Sequence, residues 1–221
     1  MMGLYLKKVF PHAALGIWEI NEPFEEIYAK VKLSRQEKKI FSCLKTPARK
    51  QQWLSYRLIL PYLVKPKEMS SIEYDEFGKP FLNNGVRHIS VSHSGKFSAL
   101  IASTKHSVGI DIEKIQPKIV NLAEKFMNSY ELDQISSRHE VESLYLVWTS
   151  KEAIYKLYGK RDILFKDHIN IFPFDFEGQG TIMGEINTPG FKKQLSIQYQ
   201  VVENYLMAFT IDSQTQPEII A

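Results

Sequence analysis

The sequence predicts an α+β chain of two similar halves in a pseudo-two-fold arrangement, with mostly antiparallel sheets and packed helices. Three observations predict it. Helical periodicity gives way to a set of short strand-like runs, that order occurs a second time, and turn residues rather than crossover helices divide the strands. With 221 residues the chain can form one large domain or two compact halves with proper cores. The boundary is placed just ahead of the acidic strand, giving an N-terminal half over 1–105 and a C-terminal half over 106–221.

Residues 3–10 read as an opening strand. "LSRQEKKIFSCLK" reads as a helix, because Ser34 can cap it and Glu37, three places later, completes a capping box. Pro47 punctuates the chain, and "ARKQQWLSYRLIL" continues as a second helix with Trp53, Leu54 and Leu58 on one face and Pro61 ending or bending it. Strand-sized pieces then alternate with "FGKP", "NNG", "HSG" and "TKHS", all turn chemistry. In the second half "NLAEKFMNSYELDQI" looks helical, and "EVESLYLVWTSKEAIYKLYG" is a longer helix closed by Gly159. "HINIFPFDF", "GTIMGEI", "KQLSIQYQVV" and "NYLMAFTI" read as strands. No residue-level repeat and no low-complexity segment is visible.

Hydrophobic residues make up 44% and charged residues 24%, a globular rather than a disordered mixture. The formal net charge of +3 suits an anionic ligand or an acidic protein partner. One cysteine, Cys43, excludes an internal disulfide and a cysteine zinc cluster. No apolar run approaches the roughly 20 residues of a spanning helix, and "MMGLYLKKVF" lacks the apolar core of a signal peptide. A cytoplasmic protein with no membrane association is expected.

In "VGIDIEKI" the alternation puts Val108, Ile110 and Ile112 on one strand face and Gly109, Asp111 and Glu113 on the other. The bland reading is a solvated face paired with surface lysines. Against it, two like charges on one face repel unless a cation lies between them. Gly109, having no side chain, would leave room for one. Oxygen-only ligands suit Mg²⁺, which takes one or two carboxylates and completes its shell with water and phosphate oxygens. Trp148, Glu152 and Lys156 stand four apart on one helical stripe. Alone they would be a core anchor and a surface ion pair; beside the acidic strand, Glu152 becomes a candidate ligand or base and Lys156 a phosphate partner. His93 is read in a turn between strands, but no G-x-S-x-G elbow accompanies it. Lys79 sits in a turn before Pro80. Arg35, Lys38, Lys39, Arg49, Lys50 and Arg57 crowd the first helices.

Taken in order, Gly78-Lys79-Pro80, Ser92-His93-Ser94, Gly109-Ile110-Asp111-Ile112-Glu113, and Trp148 with Lys151, Glu152 and Lys156 resemble the motifs of the surfactin-type 4′-phosphopantetheinyl transferases. The matching motifs span about residues 78 to 160, with "RKQQWLSYR" a softer match upstream. Tryptophan followed by Lys-Glu-Ala resembles one subgroup of these enzymes.

The resemblance implies transfer of the phosphopantetheine arm of coenzyme A, the co-substrate, to a serine of an apo acyl or peptidyl carrier protein. Adenosine 3′,5′-bisphosphate is the other product. It implies that Asp111, Glu113 and Glu152 hold Mg²⁺, with Mn²⁺ the alternative ion. Glu152 would be the general base, with Glu113 or a metal-bound water in competition, and Lys156 would neutralise the departing bisphosphate. Lys79 and His93, with Ser92 beside it, would contact phosphates, and Pro80 would line the adenine end. Arg49 would meet the 3′-phosphate, with Lys50 and Lys38 as competitors. The sequence departs from the pattern at "GKRDILF", where many members continue Gly-Lys-Gly-Leu. A monomer with no nucleic-acid partner is expected. The rival readings are a metal-dependent nuclease or phosphodiesterase using the same acids, and a non-catalytic module binding coenzyme A or a carrier.

Overall fold

The computed structural model describes residues 3–65, 71–82, 88–161 and 163–213. A hairpin of β1 (Leu4–Phe10) and β2 (Ala13–Glu19) opens it, followed by α1 (Phe24–Lys30), α2 (Arg35–Ser42) and α3 (Pro47–Leu63). Strands β3 (Ile72–Tyr74), β4 (Pro80–Leu82), β5 (His88–Ser94) and β6 (Phe97–Ser103) complete a six-stranded antiparallel sheet of order β1-β2-β6-β5-β4-β3. Strand β7 (Val108–Lys114) starts the second sheet. After it come a 3₁₀ turn at Pro117–Leu122, α4 (Ala123–Phe126), α5 (Ser129–Asp133), a 3₁₀ turn at Ser137–His139, α6 (Glu140–Tyr158) and α7 (Phe165–His168). Strands β8 (Ile169–Ile171), β9 (Gln179–Thr188), β10 (Phe191–Val202) and β11 (Tyr205–Ile211) give an antiparallel sheet of order β7-β11-β10-β9-β8. From β2 onward the two sheets have one connectivity: a first strand, helices, then four strands that fold back until the last lies beside the first.

The likeness reaches single side chains. In the first half Ser34 and Glu37 form the capping box of α2, and Glu37 Oε1 accepts from Arg57 Nε of α3 at 3.0 Å and from the Ile72 amide at 3.3 Å. In the second, Asn128 and Glu131 form the capping box of α5, and Glu131 accepts from Lys151 Nζ of α6 at 2.7 Å and from the Ile171 amide at 2.9 Å. Ser34 to Asn128, Glu37 to Glu131 and Arg57 to Lys151 are each 94 positions apart. Each buried glutamate fastens a short helix, a long helix and an edge strand together. Burial of such a charge is tolerable only because every oxygen is answered.

Helix α3 packs on the first sheet through Trp53, Leu54, Leu58 and Ile59, and α6 on the second through Leu144, Val147, Ile154 and Leu157. Between the sheets, Leu15 and Ile17 of β2 and Ala99 and Ile101 of β6 meet Val108, Ile110 and Ile112 of β7 and Phe209 of β11. Fully buried side chains of this size each contribute roughly 1.5–3 kcal/mol, so the seam is a core in its own right.

Several elements differ from expectation. β2 and α1 were not anticipated: "AALGIWE" is apolar without alternation, and α1 is only seven residues long. "NLAEKFMNSYELDQI" is broken, because Met127 is extended and Asn128 caps a new helix. Of "HINIFPFDF" only Ile169–Ile171 is strand. Pro47 begins α3, where its missing amide costs little, and Pro61 lies in the last turn, where it removes one i→i−4 hydrogen bond just before the helix ends. The expected turn at Asn83-Asn84-Gly85 lies outside the described residues.

Candidate active site

At Gly109 the backbones of β7 and α6 approach closely. A Cβ there would sit 1.8 Å from the Ala153 carbonyl oxygen. The room left by the missing side chain is therefore filled by helix, not by a cation as the sequence suggested. This contact draws the acidic face of β7 against the Glu152–Lys156 stretch of α6. Lys156 Nζ donates to Asp111 Oδ1 at 2.7 Å, instead of pairing with Glu152 four residues back.

The free edge of β7 is closed by serines. Ser90, Ser92 and Ser94 alternate on β5, and their hydroxyls accept from the amides of Ile110, Ile112 and Lys114 at 3.1–3.3 Å. An edge strand whose amides would otherwise be open is thus satisfied from the other sheet. Two hydroxyls also donate: Ser92 to Asp111 Oδ1 at 2.6 Å, and Ser94 to Glu113 Oε2 at 2.8 Å. The period-two serines of "SVSHS" carried this signal in the sequence, although Ser90 was not singled out. His93 lies within β5 rather than in the turn, on the face opposite Ser92 and Ser94. There its imidazole meets the Arg49 guanidinium at the start of α3.

A cavity of about 630 Å³ collects these groups. Arg49, Lys79, Pro80, Ser92, His93, Asp111, Glu113, Glu152 and Lys156 all line it. Lys50 does not; its ammonium lies 5.5 Å above the Phe41 ring. Sequence reasoning missed the apolar and aromatic part of the lining, which Ile40, Leu44, Trp53, Tyr56, Tyr74, Phe77 and Tyr155 supply. Trp148 lies outside the cavity, between Phe126 and Phe165 at 5.1 and 5.5 Å. Lys151, fully buried on Glu131 and the Phe126 and Phe165 carbonyls, is a structural residue.

The electrostatics follow from crowding. Burial, then the nearby Asp111 charge, pushes Glu152 up to about 7. Glu113 is raised for the same reasons, with the Ser94 hydroxyl pulling back. Burial and the Arg49 and Lys156 charges hold His93 down at about 4, so it stays neutral. Burial also lowers Lys79. Among the described residues no group of three or more His, Cys, Asp or Glu is gathered tightly enough to hold a metal ion as the side chains stand. Yet among the described residues Asp111 Oδ2 is buried with no hydrogen-bond partner, and Glu113 and Glu152 line the same cavity. An oxygen-only set with one orphaned carboxylate oxygen fits a hard dication, which needs only one or two carboxylates when phosphate supplies the rest.

The first half shows what this site looks like without the charges. Gly16 of β2 lies against Ile59 of α3, as Gly109 lies against Ala153. Counting from those contacts, Trp18 and Tyr62 stand where Asp111 and Lys156 stand, and Leu58 where Glu152 does. Trp18 and Tyr62 are in ring contact at 6.1 Å. One of two equivalent positions is packed with aromatic rings, and the other is a charged cavity.

The fold and cavity define a two-sheet α+β protein that gathers carboxylates, a lysine, an arginine and an aromatic wall in one place. Residues 107–210 match the model of the 4′-phosphopantetheinyl transferase superfamily. The chain is similar to 4′-phosphopantetheinyl transferase gsp of Aneurinibacillus migulanus, 34% identical over 47% of this chain and 46% of the relative. It is 33% identical to AcpT of Escherichia coli K12 over 50% and 59%, and 30% identical to ffp of Bacillus subtilis over 66% and 64%. The matched stretches thus span about half to just under two thirds of these relatives. Among the described residues no helix is long and apolar enough to cross a membrane.

Proposed function

We propose that this protein transfers the 4′-phosphopantetheine group of coenzyme A to a serine hydroxyl of an apo acyl or peptidyl carrier protein, releasing adenosine 3′,5′-bisphosphate. The observation that carries the reading is the convergence of Asp111, Glu113, Glu152 and Lys156 on a cavity that aromatic side chains also line. Such a cavity suits a ligand that carries both a nucleobase and a diphosphate. The matched superfamily and relatives support it.

Asp111, Glu113 and Glu152 would hold Mg²⁺ or Mn²⁺. When bound, that ion supplies neutralisation of the diphosphate's non-bridging oxygens. The chain's own residues do the rest. Tyr74, Tyr56 and Phe77, with Pro80, border the space for the base, and Arg49 and His93 face the phosphates. Neutral His93 can donate to a phosphate oxygen without adding charge, while the arginine fork supplies the cation. Glu152, which lines the cavity beside Asp111 and Lys156, is the candidate to take the proton of the serine hydroxyl. The serine oxygen bonds to the phosphorus carrying the pantetheine arm, the bridging P–O bond breaks, and the bisphosphate leaves with its charge met by Lys156. Positioning and charge neutralisation supply most of the rate in such transfers.

A second groove, of about 470 Å³, adjoins the first at Glu113, which lines both. Lys114, Lys118 and Lys125 border it around Leu122 and Trp148. Three lysines around an apolar floor suit a carrier that presents acidic and apolar side chains beside its serine. In this reading the protein is cytoplasmic and acts as a monomer.

The test is intact-mass spectrometry of apo carrier protein incubated with the enzyme, coenzyme A and Mg²⁺. The carrier should gain the mass of one phosphopantetheine. No gain across several carrier types, with the enzyme folded, contradicts the reading; cleavage of nucleic acid without coenzyme A would favour the nuclease instead.

A further inference from the structure

The β3–β4 turn is a closed unit. Asp75 Oδ1 accepts from the Phe77 and Lys79 amides at 2.9 and 2.8 Å, and the Gly78 amide donates to the Asp75 carbonyl at 3.0 Å. This turn belongs to the first sheet, yet it is tied to the end of α6 in the second half. Lys79 Nζ donates to the Leu157 carbonyl oxygen at 2.6 Å. That carbonyl is among the last four of the helix, which have no intrahelical partner, and a cation there also meets the negative end of the helix dipole.

Helix α6 ends on Gly159 at φ +71°, and the Lys79 stem lies across that glycine. A Cβ on Gly159 would stand 2.4 Å from Lys79 Cδ. Phe77, Gly78 and Pro80 on one side of this crossing, and Tyr155 and Lys156 on the other, line the same cavity. The spacing between the part of the cavity lined by the turn and the part lined by α6 therefore depends on where the turn sits against the helix end.

We propose that Lys79 is a positioning residue: its ammonium clamps the Asp75–Lys79 turn to the α6 C-terminus and so sets the width of the cavity, instead of meeting a ligand phosphate. Gly159 is glycine for two reasons, the left-handed backbone that ends the helix and the passage of the lysine stem. The clamp stands on the geometry of the free protein. Its effect on ligand affinity rests on the coenzyme A reading given above.

Hydrogen exchange of the ligand-free protein tests it. Lys79→Met should raise exchange at the Phe77 and Gly78 amides about tenfold, the loss expected when a charged hydrogen bond is removed. Gly159→Ala, with the lysine intact, should do the same by displacing its stem. Because both act through one contact, the double variant should cost little more than either alone. Lys79→Gln serves if the methionine variant does not fold. Exchange unchanged in the ligand-free single variants, or fully additive effects in the double variant, would overturn the clamp. Saturating coenzyme A should leave the wild-type protection in place; its loss would mean the ammonium moves to a phosphate, and would also overturn it. Failure of coenzyme A to bind the wild type would count against the proposed function alone, since exchange in the free protein still decides the clamp.

Discussion

Lys156 of α6 donates to Asp111 of β7 at 2.7 Å, and this ion pair joins the two elements that carry every acid of the site. It forms because Gly109 lets the helix lie directly on the strand. Gly109→Ala should then be a fold mutation, not a catalytic one. An added methyl 1.8 Å from a backbone oxygen forces strand and helix apart, and overpacking of this severity costs about 3 kcal/mol or more. Chemical denaturation measures it; a loss under about 1 kcal/mol would mean the strand and helix are not tightly joined here.

Glu152→Gln and Asp111→Asn keep the side-chain volumes and remove one charge each. Each should lower carrier modification by roughly 10²-fold or more, the usual loss when a preorganised electrostatic group is removed. Thermal unfolding should change little for Glu152→Gln, whose carboxylate faces the cavity. Near-normal rates in both variants would separate these acids from the chemistry.

The buried Lys151–Glu131 pair predicts the opposite pattern. Lys151→Met leaves the glutamate charge buried without its cation, and breaking a pair of this kind costs about 3–5 kcal/mol. Adding Glu131→Gln removes the stranded charge and should recover part of the loss. Denaturant unfolding of the single and double variants checks it. Arg57→Met should behave alike in the first half, where Glu37 plays the part of Glu131.

His93 gives a pH signature. Its folded pKa near 4 lies below the ordinary value of 6.5, because burial and the Arg49 and Lys156 cations disfavour the imidazolium. As pH falls from 6.5 toward 4 the unfolded chain takes up a proton that the folded chain refuses, so stability is lost across that window. An NMR titration should place the imidazole midpoint near 4, and Arg49→Gln should move it upward. A midpoint at or above 6 in the wild type would remove the burial and the guanidinium contact as causes.

Much of this was legible in the sequence where local rules act alone. Ser34 and Glu37 announced α2, Gly159 ended α6, and the alternation of "VGIDIE" separated the core-facing isoleucines from the acids. What was not legible depended on distant contacts. Gly109 read as open space because nothing local says that Ala153 lies above it. The hydrogen bond of Lys79 to the Leu157 carbonyl was not legible because the two residues are 78 positions apart. The likeness of the halves also escaped residue-level comparison. It resides in a few fixed spacings, with Arg57 exchanged for Lys151 and Ser34 for Asn128, and in one pair of places that carries Trp18 and Tyr62 in one copy and Asp111 and Lys156 in the other.

The most direct measurement is anomalous scattering from a crystal of the protein grown with coenzyme A and Mn²⁺. One manganese peak should lie among the carboxylates of Asp111, Glu113 and Glu152, with a diphosphate oxygen completing its shell at about 2.0–2.6 Å, the range for hard-cation oxygen ligands. Coenzyme A bound in the cavity with the ion elsewhere, or with no ion at all, would contradict the account.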